Sequence, residues 1–523
     1  MPTALSSTDP DPITASEPSR WQRAMRSTTD VGPLLRFRAA GVRGRSRNAL
    51  KLGLGFILTV TLLVAWLPGY LPAGDGRRSD VLLLLPTGYI GVLLVAIISA
   101  AASGGGRELL PREQAVSFPV SPTTDHLGAL LMAPLNIAWL LQAWTLLGAT
   151  AYVVGAKWQL VLAQLPVLVW LVTATALAQV VAWAIEWVRR GPQGINTVRL
   201  LVIAMGAGLA ALIVSDRLVP LLDRSPTIRI TFAVLYGADG QVWPWIQVLA
   251  VLVATTLVAV VVGAWAAAAV VRRPARDELR EESSSRPPRQ NPGSDLLAMV
   301  RTDRVGIWRS VPLRRGLSVL ALLPGLVALA GDLEWSMLSI LPGLVASGGA
   351  LLFGVNSWCL DGRGALWRDS LPAAPRLAFL SRVVVLVEVL LFATGLTLVL
   401  AALRAGAPTA AQLVGVLCCA LVVTVQVVAT SLRWSVKRPF AVDMRSARAT
   451  PAPPVVMVGY SARLALTTTL TGMLFGAASY VSWQWSVLLA LPFLLFSTAK
   501  LVGTSAEWAD PSTRSTVVTT VAS

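Results

Sequence analysis

Residues 244–271 run without one charged side chain, and the same kind of stretch recurs along the chain. An α-helix rises about 1.5 Å per residue, so about 20 apolar residues cross a hydrocarbon core about 30 Å thick. Twelve stretches approach or reach that length: 52–70, 81–103, 128–154, 159–187, 198–215, 244–271, 317–331, 336–357, 380–403, 410–432, 456–480 and 485–502. Inside lipid every backbone N–H and C=O needs a partner within the protein, which leaves helices and closed barrels. A barrel would show short segments of alternating polarity, not long apolar runs. The expectation is an all-α polytopic membrane protein with about 12 transmembrane helices. Composition agrees: 55% of the 523 residues are hydrophobic and 14% charged, where a soluble domain carries about a quarter charged.

The net charge is +17, which by itself would suit a nucleic-acid partner, but the basic residues gather beside apolar runs. With the N-terminus placed in the cytoplasm, 37 of the 44 Lys and Arg fall on cytoplasmic segments and 7 on external ones. That bias orients a multi-pass protein with both termini inside, and no nucleic-acid partner is needed to account for the charge. Membrane lipid is the surrounding partner. Residues 1–19 are rich in Ser, Thr, Pro and Asp and have no apolar core, so they read as disordered and not as a signal peptide. The external segments are short. The longest, 216–243, has mixed polarity and room for a re-entrant or interfacial helix.

Residues 272–295, charged and rich in Ser and Pro, form a linker that divides the stretches into six and six. The halves resemble each other. With a shift of 256, Leu85-Pro86 falls on Leu341-Pro342, Gly106-Arg107 on Gly362-Arg363, Leu110 on Leu366, and Arg112-Glu113 on Arg368-Asp369. A Pro-x-x-Pro follows in each, Pro119/Pro122 and Pro372/Pro375. Matches of Gly, Arg and Pro at one register in a polar loop point to duplication. An even number of spans per unit makes the repeats parallel. Each half opens on an Arg-rich amphipathic segment, 34–51 and 296–316, suited to the membrane surface. The expected organisation is a disordered cytoplasmic N-terminus (1–33), a first six-span half (34–271), the cytoplasmic linker (272–295), a second six-span half (296–502) and a cytoplasmic tail (503–523).

Chemistry is sparse. A P-loop needs Lys followed by Ser or Thr, to hold phosphates and Mg²⁺. The four lysines, Lys51, Lys157, Lys437 and Lys500, are followed by Leu, Trp, Arg and Leu. The three cysteines, with Cys418 and Cys419 adjacent in an apolar run, suggest neither a disulfide framework nor a metal site. His126 is the single histidine and follows Asp125, a reasonable helix N-cap. No catalytic, cofactor-binding or metal residue is expected. Glu388 is the best intramembrane charge: a structural partner for an Arg such as Arg382, or a proton or substrate site.

Six spans per unit, an interfacial helix before the first, and a charged cytoplasmic loop after the second resemble the membrane subunits of bacterial ABC exporters of the type-2 permease superfamily. There the first cytoplasmic loop often carries an acid and then a Pro-Val-Ser-like stretch. Here these are Glu113 with Pro119-Val120-Ser121, and Asp369 with Pro372-Ala373-Ala374. The resemblance implies that Arg107, Arg112, Glu113, Pro119 and Pro122, with Arg363, Arg368, Asp369, Pro372 and Pro375, form coupling loops for a separately encoded P-loop ATPase, in two copies. It implies a permease in the bacterial plasma membrane that uses ATP only through that partner. Two other readings stay open: a proton-coupled secondary transporter using Glu388, and a membrane assembly protein that moves nothing.

Overall fold

The computed structural model describes residues 29–33, 45–72, 76–102, 121–135, 137–273, 292–331, 333–362, 364–441 and 454–522. Among them the regular structure is helical throughout. The first half runs α1 (Arg45–Trp66), α2 (Arg77–Ala102), α3 (Pro122–Leu131), α4 (Ile137–Val154), α5 (Leu160–Arg189), α6 (Gly194–Val214), α7 (Leu218–Asp223), α8 (Ile228–Ala238) and α9 (Val242–Val271). The second runs α10 (Asp295–Arg309), α11 (Val311–Ala330), α12 (Trp335–Leu338), α13 (Leu341–Phe353), a 3₁₀ segment Gly354–Leu360, α14 (Gly364–Asp369), α15 (Pro375–Ala402), α16 (Ala410–Lys437), α17 (Pro454–Ala478), α18 (Trp483–Ala509) and α19 (Pro511–Ala522). The all-α polytopic class is as expected.

The number of crossings is a narrower matter. Among the described residues, eight helices are long and apolar enough to span a membrane, and a bent pair, Trp335–Ala350 with Gly354–Leu360, makes a ninth. Leu54–Tyr70 and Trp139–Val154 are shorter apolar helices. Each of the twelve apolar stretches carries helix, but helix length and hydropathy by themselves establish eight or nine spans and not twelve. The third stretch shows why: Ala133–Leu135 forms a 3₁₀ turn there, dividing α3 from α4.

The two halves repeat their packing. The first and third stretches pair in each half (α1 with α4, α11 with α15), as do the second and fourth (α2 with α5, α13 with α16) and the fourth and sixth (α5 with α9, α16 with α18). Between halves, α1 touches α17 and α11 touches α6, so the first stretch of each half meets the fifth of the other. Polar anchors hold these pairs at places where apolar packing alone leaves sliding free. Gln164 of α5 donates to Ala65 O and Leu147 O at 3.0 and 2.9 Å. Thr397 of α15 donates to Ala321 O at 2.8 Å, one turn from Gly325, where an added Cβ would lie 2.7 Å from Thr397 O. Helix starts are chemically marked. Pro122 and Pro375 stand at the first positions of α3 and α15, and Thr409 with Gln412 forms a capping box on α16.

The segment 216–243, expected to be external, folds into α7 and α8, and α8 buries Ile230, Ala233 and Val234 against the bundle. Between α17 and α18 only a turn remains. At the other end of the molecule, α18 continues to Ala509, and α19 folds back to bury Val517, Val518 and Val521.

Candidate functional site

The bend after α13 builds the site. At Asn356 the backbone leaves helical geometry (φ −148°, ψ 76°). Backbone groups freed at membrane depth need protein partners. The neighbouring α16 supplies one: Ser435 Oγ accepts from Ser357 N–H at 2.8 Å, while beyond α16 Phe440 O accepts from the Asn356 side chain (Nδ2) at 2.7 Å. The bend delivers Asp361 to the end of the bundle, where three other charges meet it.

Arg382 of α15 is fully buried and donates through Nη2 to both oxygens of Asp361 at 2.8 Å, and through Nη1 to Ser357 O at 2.9 Å. It also pairs with Asp303 of α10 at 3.1 Å. Arg368 of α14 grips Asp303 with both terminal nitrogens, at 2.6 and 3.1 Å, and reaches Asp361 at 3.1 Å. Ser381 donates to Asp303 as well. Two guanidinium groups thus face two carboxylates, and no net charge is left buried. For Asp303, burial pushes the carboxyl pKa up, but Arg382 and Arg368 outweigh it and hold the group below its ordinary value. A buried pair of this kind is a lock more than a reservoir of stability, because desolvation offsets most of the attraction. What it locks is the position of α14 relative to α10 and α15.

An aromatic layer continues the lock toward the chain's end. The Arg382 guanidinium lies 5.3 Å from the Trp358 ring, and Trp358 stacks on Trp508 of α18 at 3.9 Å. Trp508 donates to Pro375 O at 3.1 Å, so Pro375 is both the first residue of α15 and an anchor for α18. Asp369 accepts from Arg514 of α19 at 2.7 Å. A cleft of 240 Å³ remains between Trp358, Arg368, Trp508, Arg514 and Val518. On its outer face α14 presents Leu366 and Trp367, 54% and 66% exposed.

The expected coupling residues therefore divide. Arg107, Arg112, Glu113, Pro119 and Arg363 lie outside the described residues. Pro122 opens α3, with the Ser121 side chain accepting from Thr124 N–H at 3.0 Å. Pro372 is exposed in the turn before α15. Arg368 and Asp369 are adjacent in sequence and both engaged within the chain, Arg368 inward and Asp369 with the C-terminal helix. Glu388 does not pair with Arg382. Its partner is Arg304 of α10, at 2.8 Å with both side chains about half exposed, because Arg382 is buried and turned to Asp361 and Asp303 while Glu388 lies on an exposed face of α15. Since α15 starts at Pro375, Glu388 also stands thirteen residues along its helix. Sequence reading missed Asp303, Asp361, Trp358 and Trp508 as site residues. The available signal was Asp303, an acid in the otherwise basic amphipathic segment 296–316.

In the first half, His126 of α3 is buried against α9. Its Nδ1 accepts from Trp183 Nε1 at 3.1 Å, and Gly263 leaves space for the ring. No family model, curated protein or solved structure matches the chain.

Proposed function

We propose that the chain is the permease of an ATP-driven exporter in the bacterial plasma membrane. It spans the bilayer twelve times, keeps both termini in the cytoplasm and works with two copies of a separately encoded P-loop ATPase. The observation that carries this reading is α14. A six-residue helix at the end the charge bias assigns to the cytoplasm turns Leu366 and Trp367 outward while the buried Arg–Asp cluster ties it to α10 and α15. An apolar tip on a rigid base suits transmission of force from a docked partner to the spans. The partner's grip then lies in Leu366 and Trp367, and Arg368 serves as the base of the lever. The absence of any Lys-Ser or Lys-Thr pair in the sequence supports a second chain as the source of ATP hydrolysis. The repeated helix pairings and the exchange of first and fifth stretches between halves support a two-sided, pore-like arrangement with one docking point per half. The Glu388–Arg304 pair speaks against a free intramembrane acid available for proton coupling.

The test is purification of the tagged chain from its native membrane. The stripped chain should show no ATP hydrolysis, and the chain with its co-purifying subunit should hydrolyse ATP. Trp367→Glu should weaken the subunit's binding about 30-fold, the loss of a central aromatic anchor worth about 2 kcal/mol. Hydrolysis by the stripped chain, or full subunit recovery with Leu366→Glu and Trp367→Glu combined, would defeat the proposal. Docking without ATP-dependent transport of any solute would favour an assembly protein.

A further inference from the structure

Three cations gather where α16, α17 and α18 meet, and among the described residues no carboxylate pairs with them. Lys500 of α18 donates to Thr430 Oγ1 of α16 at 3.0 Å, its one hydrogen bond among the described residues. Arg433 stands three residues beyond Thr430 on α16, and so on the same face. Thr471 of α17 donates to Gln426 of α16 at 3.3 Å. Running antiparallel from that contact, the two helices bring Arg463 level with Arg433. Lys500 accordingly lies within electrostatic reach of both arginines. Arg433 and Arg463 are exposed and form no ion pair among the described residues, and the nearby acid, Glu507, is turned to Lys437 at 3.7 Å.

The depth is informative. Arg463 is nine residues inside the start of α17 and Lys500 nine residues short of the end of α18. At roughly 1.5 Å per residue both sit about 13 Å in from the helix ends that the charge bias assigns to the cytoplasm. Lys and Arg there reach the interface along their aliphatic stems. The outer surface beside them is apolar, with Leu466 63% and Phe496 72% exposed. Counted from the helix starts, the first half has Ile203 and Ala259 where the second has Arg463 and Lys500. The cluster therefore belongs to one half and is not topogenic charge common to both.

We propose that Lys500, Arg433 and Arg463 form a binding site for the phosphate headgroup of an anionic phospholipid of the cytoplasmic leaflet, with its acyl chains along α17 and α18. Basic pockets between transmembrane helices on that side bind such headgroups. A free phosphate would gain the three charges but nothing from the apolar flanks. The site depends on the orientation argued from charge and not on an ATPase partner.

The purified full chain is incubated with phosphatidylglycerol and phosphatidylcholine in equal amounts and passed through a sizing column, and retained lipid is measured by mass spectrometry. Wild type should retain phosphatidylglycerol preferentially, and millimolar inorganic phosphate should not displace it. Lys500→Gln with Arg433→Gln and Arg463→Gln should weaken retention by on the order of a hundredfold, at roughly fivefold per charge. The charge-keeping set Lys500→Arg, Arg433→Lys and Arg463→Lys should retain it. If the triple Gln variant does not fold, Arg463→Gln alone, an exposed site with no ion pair among the described residues, should still show a loss of about fivefold. Equal retention of the two lipids, unchanged retention in the folded Gln variants, or displacement by inorganic phosphate would overturn the proposal.

Discussion

Asp303 is a small carboxylate with a large share of the candidate site, since it touches Arg368, Arg382 and Ser381 at once. Removing one partner from a buried pair leaves an uncompensated charge, at a cost of about 3–5 kcal/mol. Asp303→Asn should therefore lower the thermal unfolding midpoint sharply in detergent solution. Glu388→Gln removes a pair whose members are both about half exposed, for which about 0–1 kcal/mol is usual. Both variants break an Arg–acid contact between α10 and α15, and Asp303→Asn also breaks the contact with Arg368 of α14. Equal midpoints for the two would mean that the Asp303 cluster is solvated and not a lock.

At the scale of elements, the halves fasten the start of their third stretch differently. In the second half the Arg382 cluster and the Trp358–Trp508 stack hold α15. In the first half the His126 imidazole packs between α3 and α9 and accepts from Trp183. A Cβ added at Gly263 would lie 2.5 Å from His126 Cε1. Gly263→Ala should cost about 1–3 kcal/mol, the usual price of overpacking. Introduced into His126→Ala, where the ring is gone, the same change should cost little. A thermal double-mutant cycle measures the difference, and an equal cost in both backgrounds would show that α9 clashes with something other than the ring.

For the whole molecule, the halves meet through α1 with α17 and α11 with α6, and one ion pair closes over the far end. Arg404, after α15, binds Asp216, after α6, at 2.6 Å, and also donates to Ile213 O at 3.3 Å. Asp216 holds its carboxylate there from a left-handed backbone position, φ 55°. Asp216 is well exposed and Arg404 partly so, and the direct contribution of such a pair is about 0–1 kcal/mol. Arg404→Asp should lower the unfolding midpoint at low salt, less at 1 M salt where charges are screened within about 3 Å. Combining Arg404→Asp with Asp216→Arg should recover it. No recovery in the swapped variant would assign the effect to other contacts of Arg404, such as that with Ile213 O.

Apolar length is a one-dimensional property, and the sequence by itself determined what depends on it: a helical polytopic protein, within which the helix pairings of the two expected halves recur. The loop register that aligned Arg112-Glu113 with Arg368-Asp369 marked the segment that folds as the short helix α14, where the sequence reading expects a loop. It could not say which way the charges turn. Arg368 faces inward because Asp303 and Asp361, 65 and 7 residues away, arrive there only after α13 bends and α10 folds back. Arg382 was unavailable to Glu388 for the same reason. Side-chain partnership in a helical membrane bundle follows helix rotation and depth, which are set jointly by all the neighbours. A local motif carries no information on either, and the tertiary structure alone decided them.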